Sequence, residues 1–266
     1  MASRISVIVA TRNRHRDVIA LLESLTNCDD GGIGEVLLVD DASTHPLVVE
    51  PAEYPYEIRL IRNSVQMGAA ESRNVAAREA NGDVLAFLDD DARPLPDWCQ
   101  VLSKYMSVPR TAVTGRILPF DTGVISRSRQ YRYEYRYAAH PAYSAVDFFA
   151  GGNSAIRREV FLRAGGFPNV TTASDNGLVP KLAQLGYCII FVPDLRVVHR
   201  NGKGTRSAFR ESWRAARMAG PTTVPGELRR FQRVVQRQPW SHDPACAIVN
   251  SLLQAANSLS RTLQKR

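Results

Sequence analysis

A short apolar run that ends in three aspartates constrains the fold of this chain more than any other stretch. Five consecutive apolar residues, Val84–Leu88, lie between the turn residues Gly82 and Pro94. A run of this length between turn residues is typical of a strand that is buried on both faces of a parallel sheet. The aspartates Asp89–Asp91 would then lie at the carboxyl end of that strand, where open α/β sheets bind their ligands.

The three adjacent carboxylates suggest a cation site. Like charges in contact repel one another, so local structure alone gives no reason for three of them in a row. A hard divalent cation such as Mg²⁺ or Mn²⁺ binds oxygen ligands of this kind. A solvated acidic turn before Pro94 would explain the same residues, and the stretch by itself leaves both interpretations open.

The first hundred residues alternate short apolar runs with helical patterns. The predicted strands are Ile5–Ala10, Glu35–Val39, Tyr56–Ile61 and Gly82–Leu88, and the predicted helices are Arg14–Thr26 and Gly68–Ala80. Strands that alternate with helices across short breaks predict βαβ units and a parallel sheet. No G-x-G-x-x-G follows the first strand, which argues against a standard dinucleotide site.

The remainder of the chain predicts further elements and one ambiguous segment. The predicted helices are Asp97–Met106, Arg157–Ala164, Asp175–Leu185, Ser207–Met218, Glu227–Gln236 and Pro244–Leu263, and the predicted strands are Ala112–Leu118, Tyr187–Val192 and Leu195–Val198. Residues 220–225 are interpreted as a linker. Arginine and tyrosine alternate through 127–137, which fits either an exposed strand or a helix with basic and aromatic faces.

The charge of the chain is concentrated in its last quarter. The formal net charge is +8, and residues 200–266 carry 13 Lys and Arg against 3 Asp and Glu, whereas residues 1–199 carry 21 against 23. A basic tail can meet nucleic acid, an anionic membrane or an acidic substrate, or can simply be a solvated surface. Basic and aromatic residues together, as in 127–137, can also bind nucleic acid by stacking.

Length and cysteine content set the remaining bounds. A chain of 266 residues can form one large or two modest domains with a substantial core. Its four cysteines are scattered without a C-x-x-C pair, which argues against a zinc site and a disulfide framework, so we expect a cytoplasmic setting. No run of 18 apolar residues occurs, so we predict no membrane span.

Seven motifs in order resemble one enzyme family. They are SVIVATRNR, EVLLVDDAST, NSVQMGAAESRN, DVLAFLDDDARPLP, FAGGNSAIRREVFLRAGGF, the SDNGLVPKLAQLGY segment and VVHRNG. Over about residues 4–200 this sequence resembles the inverting family-2 glycosyltransferases of the GT-A fold. The resemblance implies an α/β fold with a Rossmann-like, mostly parallel central sheet flanked by helices. It implies a catalytic domain over residues 1–200, with a nucleotide-binding half (about 1–95) and an acceptor half (about 96–200), and leaves 201–266 as a basic helical extension.

The resemblance also implies a metal site. The D-x-D motif of the family falls on Asp89 and Asp91, with Asp91 as the direct ligand of Mn²⁺ or Mg²⁺. Asp89 and Asp90 would hold the ribose or water in the outer coordination sphere, and Asp89 could join the metal. His199 follows the last predicted strand, where several GT-A enzymes place a third ligand, although a lone histidine is more often structural.

Further positions match residues that contact the donor in the family. The resemblance places Thr11 and Arg12 against the base, Asp41 in contact with the base, Gly68 and Arg73 beside the diphosphate, and Gly151, Gly152 and Asn153 on the floor of the donor-sugar and acceptor site. Many relatives carry an aromatic residue at the position of Arg12, so stacking by a guanidinium would replace stacking by a ring.

Asp175 is the expected general base. An inverting transfer is a single displacement, and a positioned carboxylate that takes the proton of the acceptor hydroxyl contributes about 10²–10⁴-fold. The family places this carboxylate in an E-D pair before a helix, and the pair is Ser174-Asp175 in this chain. A simple helix N-cap is the alternative role for Asp175.

The predicted function is a metal-dependent inverting transfer from a UDP-, dTDP- or GDP-sugar to the hydroxyl of a carbohydrate or another acceptor. A sugar-nucleotide nucleotidyltransferase of the same fold would need a glycine-rich loop after the first strand, and ATRNRHRD has no glycine. A non-catalytic protein that binds nucleic acid or a membrane through its tail is the other alternative, and the intact Asp89, Asp91 and Asp175 argue against it.

The last predicted helix needs a partner for its apolar side. Pro244–Leu263 has few charges, and an apolar stripe can pack on the rest of the chain, on a second copy or on a membrane. The aromatic residues that accompany a membrane anchor, Phe231 and Trp240, precede this helix. We therefore favour packing on the chain or a homodimer over peripheral contact with the inner face of a membrane.

Overall fold

The computed structural model describes residues 4–29, 31–168, 175–200, 204–218 and 222–264. These residues form two compact units. The first unit takes in the chain up to Leu118 together with Tyr137–His199, and the second unit takes in Pro119–Arg136 together with the chain from Arg200 onward. The predicted domain boundary near residue 200 stays a prediction; the compact units differ from it in that residues 119–136 belong to the second unit.

The element order begins as a βαβ series. The strands are β1 (Ile5–Thr11), β2 (Ile33–Asp40), β3 (Glu57–Arg62), β4 (Val84–Asp89), β5 (Ala92–Pro94), β6 (Thr111–Pro119), β7 (Ala145–Val146), β8 (Asn153–Arg157) and β9 (Cys188–His199). The α-helices are α1 (His15–Cys28), α2 (Ala69–Glu79), α3 (Trp98–Met106), α4 (Val124–Ala138), α5 (Arg158–Arg163), α6 (Val179–Gln184), α7 (Thr205–Met218), α8 (Val224–Gln236) and α9 (Pro244–Thr262). Short 3₁₀ turns occupy Pro51–Glu53 and Asn176–Leu178.

One mixed sheet organises the first unit. Its strand order is β3-β2-β1-β4-β8-β6-β9-β5, and β7 pairs with β9. The neighbours β1 to β4 pair in parallel, as the alternation of strands and helices predicts. The pairs β4·β8, β6·β8, β5·β9 and β7·β9 are antiparallel. The carboxyl ends of β1, β2 and β4 therefore share one edge, and the antiparallel half brings the end of β9 to the residues that follow β4.

Apolar burial explains why these strands form. All five residues of Val84–Leu88 are fully buried, which confirms the central strand that the sequence predicts. Phe87 packs against three other aromatic rings, with centroids 4.9–6.1 Å apart. Fully burying side chains of this size stabilises a fold by about 1.5–3 kcal/mol each, so β4 is an anchored platform for the aspartates at its end.

Several predicted elements differ from the structure. The two strands predicted around Pro193 are a single strand, β9, because proline removes one N–H donor but keeps a φ compatible with extended backbone. Strands β5 and β8 are absent from the prediction because they are short and carry polar or charged residues. The Arg/Tyr segment is a helix, α4. The predicted helix from Asp175 is a 3₁₀ turn followed by α6. Two predicted features lie partly outside the described residues. They are Ser174 and residues 220 and 221 of the predicted linker.

Helix α9 is central to the second unit. It buries one face, whose residues are Cys246, Ala247, Asn250, Leu253 and Ser260. Polar contacts hold this face: the Ser128 hydroxyl of α4 donates to Asn250 Oδ1 at 2.5 Å, and the Ser212 hydroxyl of α7 donates to the carbonyl of Leu253 at 2.7 Å.

Within the described ranges, no helix combines the length and the apolar character that crossing a bilayer requires.

Candidate active site

Two carboxylates and an imidazole meet where β4 and β9 end. Nε2 of His199 lies 2.9 Å from Oδ1 of Asp91 and 3.4 Å from Oδ2 of Asp89. One ligand atom from each of these three residues lies within 4.8 Å of the others. Antiparallel pairing of β5 with β9 places Ala92 opposite His199 and so fixes the imidazole beside the aspartates. The structure thus brings together the three metal ligands that the sequence predicts.

The chemistry of this cluster suits a divalent cation. Oδ1 of Asp91 is buried, and although His199 is close, it accepts no well-aligned hydrogen bond from the part of the chain that the structure describes. Burial lowers the pKa of His199, but the adjacent carboxylates of Asp89 and Asp91 outweigh it and raise that pKa to about 10. The space between the carboxylates of Asp89 and Asp91 therefore favours a positive charge. Two carboxylate oxygens and one imidazole nitrogen form a ligand set that first-row divalent metals such as Mn²⁺ accept.

Asp90 follows β4 and links it to the end of β1. Its Oδ1 accepts a hydrogen bond from Nη1 of Arg14 at 2.6 Å, and its Oδ2 accepts one from the hydroxyl of Thr11 at 2.8 Å. The side chain is buried, and burial raises the pKa of Asp90 despite the Arg14 charge. Each oxygen of Asp90 accepts a hydrogen bond within the protein, and its contact with ribose or metal-bound water stays a prediction.

A pocket of about 190 Å³ opens beside these residues at the ends of β1 and β2. Its lining residues are Thr11, Asn13, Arg14, His15, Ser43, His45, Pro46 and Leu47. Of the two residues predicted to face a base, Thr11 lines this pocket, whereas Arg12 is exposed at its margin with Nε 3.5 Å from the carbonyl of Ala42. Sequence reasoning missed Asn13, Ser43 and His45, although their positions directly after two parallel strands could have indicated them.

Asp41 accepts hydrogen bonds from the residues that lead into α2. Its Oδ1 accepts hydrogen bonds from the N–H of Met67 at 2.7 Å and from the amide of Asn63 at 2.9 Å, and its Oδ2 accepts one from the N–H of Gly68 at 2.8 Å. Burial alone would raise the pKa of Asp41, but these donors lower it. The carboxylate is buried, and the predicted contact of Asp41 with a base stays a prediction.

Gly68 has a conformational role at the start of α2. Its φ is +87°, which L side chains rarely adopt, so the turn into α2 requires glycine. Its own N–H donates to Asp41. The turn directs α2 so that Arg73 reaches the site, and phosphate binding at the start of this helix stays a prediction.

Arg73 and the two glycines surround Asp89. Nη2 of Arg73 donates to Oδ1 of Asp89 at 2.5 Å, and the arginine is mostly buried. A Cβ at Gly152 would lie 2.4 Å from Oδ2 of Asp89, and one at Gly151 would lie 3.0 Å from Nη1 of Arg73. The backbone therefore approaches these charged groups closely at both glycines, and most closely at Gly152.

Asp175 joins the same group of residues. Its Oδ2 accepts a hydrogen bond from the N–H of Gly151 at 2.9 Å, and its Oδ1 accepts one from the N–H of Asn176 at 3.0 Å. The second bond caps the 3₁₀ turn, so the structural role is real. The first bond holds the carboxylate at the backbone of Gly151, where an added Cβ would meet Nη1 of Arg73, so the structure brings Asp175 to the predicted site as well.

Asn153 does not reach this site with its side chain. It is fully buried, its Nδ2 donates to the carbonyls of Arg116 and Leu195, and its Oδ1 accepts from Nε1 of Trp98 at 3.0 Å. The amide thus braces β8 against neighbouring elements of the first unit. The predicted place of Asn153 on the floor of the donor-sugar and acceptor site therefore concerns its backbone, and it stays a prediction.

Comparisons with known proteins point to one family. The family model described as Glycosyl transferase family 2 matches residues 6–164. An uncharacterized glycosyltransferase of Haemophilus influenzae is 48% identical over 96 residues, which cover 36% of this chain and 32% of the relative. The O-antigen biosynthesis protein RfbC of Myxococcus xanthus is 25% identical over 226 residues, which cover 77% of this chain and 18% of the relative. The matched regions therefore span about a third or less of these relatives.

Solved structures share the fold. The mannosyltransferase PcManGT from Pyrobaculum calidifontis, in complex with GDP-Man and Mn²⁺, matches with a TM-score of 0.65 at 23% identity and covers 98% of this chain and 74% of that chain. GalNAc-T7 with UDP, GalNAc and Mn²⁺ matches with a TM-score of 0.62 at 17% identity and covers 83% of this chain and 52% of that chain. These likenesses confirm the predicted GT-A fold class.

Proposed function

This chain belongs to glycosyltransferase family 2, and from that membership we propose that it transfers a sugar from a nucleotide-diphosphate sugar to an acceptor hydroxyl. The observation that carries the proposal is the convergence of Asp89, Asp91 and His199 beside Arg73 and Asp175. A cation site, a buried arginine and a positioned carboxylate are the parts that such a transfer needs.

The donor side of the proposal uses the cluster and the neighbouring pocket. Asp89, Asp91 and His199 would hold Mn²⁺ or Mg²⁺, and a bound cation stabilises the negative charge that grows on the leaving diphosphate. Arg73 is always charged and offers a planar fork of donors, which suits the same diphosphate. The pocket next to Thr11 would receive the base of the nucleotide. UDP-, dTDP- and GDP-sugars are the candidate donors.

The acceptor side of the proposal rests on Asp175. Oxygen of the acceptor hydroxyl would attack the anomeric carbon while the bond from that carbon to the diphosphate breaks. The hydroxyl proton would pass to the carboxylate of Asp175, which the N–H of Gly151 orients at 2.9 Å. A single displacement of this kind inverts the anomeric configuration. The acceptor would be a carbohydrate or another molecule with a free hydroxyl.

A ligand screen tests the proposed function. Unfolding temperature would be measured with UDP-, dTDP- and GDP-sugars, each with and without Mn²⁺, because ligands that bind only the native state stabilise it. We expect one nucleotide class to raise the unfolding temperature strongly only when Mn²⁺ is present. The absence of any shift across the whole set would contradict the proposal.

We also propose that the exposed face of α9 pairs with a second copy of this chain. The exposed residues recur at alternating intervals of three and four, at Ala245, Ile248, Leu252, Ala255 and Leu259. The three large side chains among them are 51–53% exposed. Alternating spacing of this kind is how one helix packs along another, and no charged residue occurs between Pro244 and Ser260.

The position of the arginines on α7 favours this partner over a membrane. Ser212 of α7 contacts α9 through its hydroxyl and its carbonyl. At 100° per residue, the exposed Arg210 and Arg214 lie on the opposite side of α7 from Ser212. A membrane-bound helix has its basic residues beside its apolar stripe, whereas these arginines point away from α9.

The cytoplasmic location stays a prediction.

A further inference from the structure

Arg14 contacts the acidic motif but has no role in the proposed transfer step. It lies between β1 and α1, with its side chain 35% exposed. Its Nη1 atom donates to Oδ1 of Asp90 at 2.6 Å and lies 3.2 Å from Oδ2 of Asp91. A single nitrogen of this arginine therefore joins two neighbouring carboxylates of the acidic motif.

This contact fixes the orientation of Asp91. With Oδ2 held by Arg14, the other oxygen, Oδ1, is directed to within 2.9 Å of Nε2 of His199. Rotation of the carboxylate would break the bond to Arg14 in a buried setting, where an unsatisfied charge is costly. The oxygen expected to bind a cation is thereby held on the side of the other ligands.

Arg14 is itself held in place by its surroundings. Asp90 accepts the short bond from Arg14 and is fixed from the other side by the hydroxyl of Thr11 at 2.8 Å. Arg14 and Thr11 both line the pocket of about 190 Å³. A continuous set of hydrogen bonds thus runs from the pocket wall through Asp90 and Arg14 to the cation cluster.

We propose that Arg14 is a positioning residue for the cation site and that it acts through Asp91. The inference rests on the proposed function, because it needs the cluster of Asp89, Asp91 and His199 to bind a divalent cation. Partners that orient metal ligands typically change metal affinity by about 10–100-fold when they are replaced.

Whether loss of Arg14 weakens or tightens cation binding distinguishes a positioning role from a purely electrostatic one. Arg14 is a positive charge close to the cluster, so Coulomb repulsion alone would weaken binding of a divalent cation. Removing that charge would then tighten binding. If Arg14 instead holds Asp91 in the binding orientation, removing it loosens binding in spite of the relieved repulsion.

The experiment measures Mn²⁺ affinity without any donor, from the spin-resonance signal of free Mn²⁺ in titrations of the full chain. We expect Arg14→Met to weaken Mn²⁺ binding by about 10–100-fold. Arg14→Lys keeps the charge but loses the planar fork, so it should also weaken binding, to a smaller extent. Arg16→Met is the matched control, because Arg16 is exposed on α1, two residues along, and its loss changes the net charge equally.

The outcomes distinguish this inference from the proposed function. Equal or tighter Mn²⁺ binding by Arg14→Met, or an equal loss in Arg16→Met, would overturn the positioning role and leave the cation site intact. No Mn²⁺ binding by the unaltered chain would overturn both. If Arg14→Met fails to fold, as judged by circular dichroism, Arg14→Lys decides alone, because unchanged affinity in that variant contradicts positioning by the guanidinium.

Discussion

At the scale of single residues, we expect cation binding by the cluster of Asp89, Asp91 and His199 to depend on charge and not only on shape. Asp91→Asn keeps the size of the side chain but removes one of two carboxylates that face His199. We expect Mn²⁺ affinity to fall at least about tenfold, since the hard cation loses its anionic oxygen ligand. The stabilisation of the protein by donor plus Mn²⁺ should disappear with it, as a thermal unfolding assay can measure.

The matched control for this change is Asp147→Asn. The side chain of Asp147 is 87% exposed, and the substitution removes one negative charge outside the cluster. Mn²⁺ affinity should stay within about twofold of the unaltered chain, because exposed charges are screened over about a Debye length. Equal losses in both variants would show that the effect comes from net charge, and the ligand assignment of Asp91 would then be wrong.

Asp175 allows a second test at the same scale. Asp175→Asn should bind donor and Mn²⁺ but lose about 10²–10⁴-fold in transfer rate, which is what a general base contributes. Measurement of kcat beside the thermal shift with donor separates loss of chemistry from loss of binding. A variant with unchanged kcat would reduce Asp175 to the cap of the 3₁₀ turn, and a product with retained configuration would exclude single displacement.

The sequence predicts which residues meet better than it predicts what each one does. Asp89, Asp91 and His199 converge as expected, because strand ends at one edge of a sheet are neighbours. The internal hydrogen bonds of Asp41 and Asn153 could not be predicted, because a motif does not show which N–H groups and carbonyls lie within hydrogen-bonding distance of a side chain. The sequence predicts Arg14 as the first residue of a helix, and only the fold shows that its side chain reaches the aspartates.

At the scale of elements, local pattern predicts the parallel half of the sheet and not the antiparallel half. Strands β1 to β4 are apolar runs separated by helices, which is a signal within the sequence itself. The direction and neighbours of β8 depend on pairing with β4 and β6, far away along the chain. The sequence alone does not decide between a helix and a strand for the segment that forms α4, because its Arg and Tyr residues fit the helical period as well as the strand period. The Ser128 contact with Asn250, a tertiary interaction, supports the helix.

A buried carboxylate joins three elements of the parallel half. Glu35 in β2 is fully buried, and its Oε1 accepts hydrogen bonds from the hydroxyl of Ser6 in β1 and from the N–H of Asn81 after α2, both at 2.6 Å. Nη1 of Arg59 in β3 donates to its Oε2 at 3.0 Å. Burial alone would raise the pKa of Glu35, but these three donors outweigh it and lower that pKa below its ordinary value.

Replacing this carboxylate should therefore destabilise the fold in a pH-dependent way. Glu35→Gln puts an amide against Arg59, and we expect the free energy of unfolding to fall by about 1–3 kcal/mol at pH 7. Because the folded-state pKa is lowered, the contribution of Glu35 is fully present above the ordinary value of 4.5 and is lost as pH falls through the folded-state pKa. The difference between the two proteins should shrink below pH 4.5.

Urea unfolding at pH 7 and at a series of lower pH values measures this difference. Glu57→Gln is the control, since Glu57 pairs in register with Glu35 on β3 but has a half-exposed side chain. Its effect should stay within about 0.5 kcal/mol, as is usual for surface substitutions. A loss in Glu35→Gln that does not change with pH would contradict the ionised state of Glu35 in the folded protein.

At the scale of the whole molecule, the proposed pairing of α9 predicts a change of mass in solution. Substitution is a cleaner test than deletion, because the opposite face of α9 is the core of the second unit. Ile248 and Leu252 are each 51% exposed, so glutamate at both positions should leave the fold intact. Two acidic side chains in an apolar helix pair are costly to desolvate, so the pair should dissociate.

Light scattering over a concentration series measures the outcome. One helix pair buries less than the about 800 Å² per partner of a standard interface, so we expect the unaltered chain to be a dimer that dissociates on dilution. The double variant Ile248→Glu with Leu252→Glu should be a monomer throughout. The control, Gln232→Glu with Gln236→Glu on the exposed side of α8, makes the same change in charge and should still dimerise. An unaltered chain that is monomeric at every concentration would contradict the pairing. If only the α9 variant then lost affinity for anionic vesicles, the exposed face would be a membrane contact.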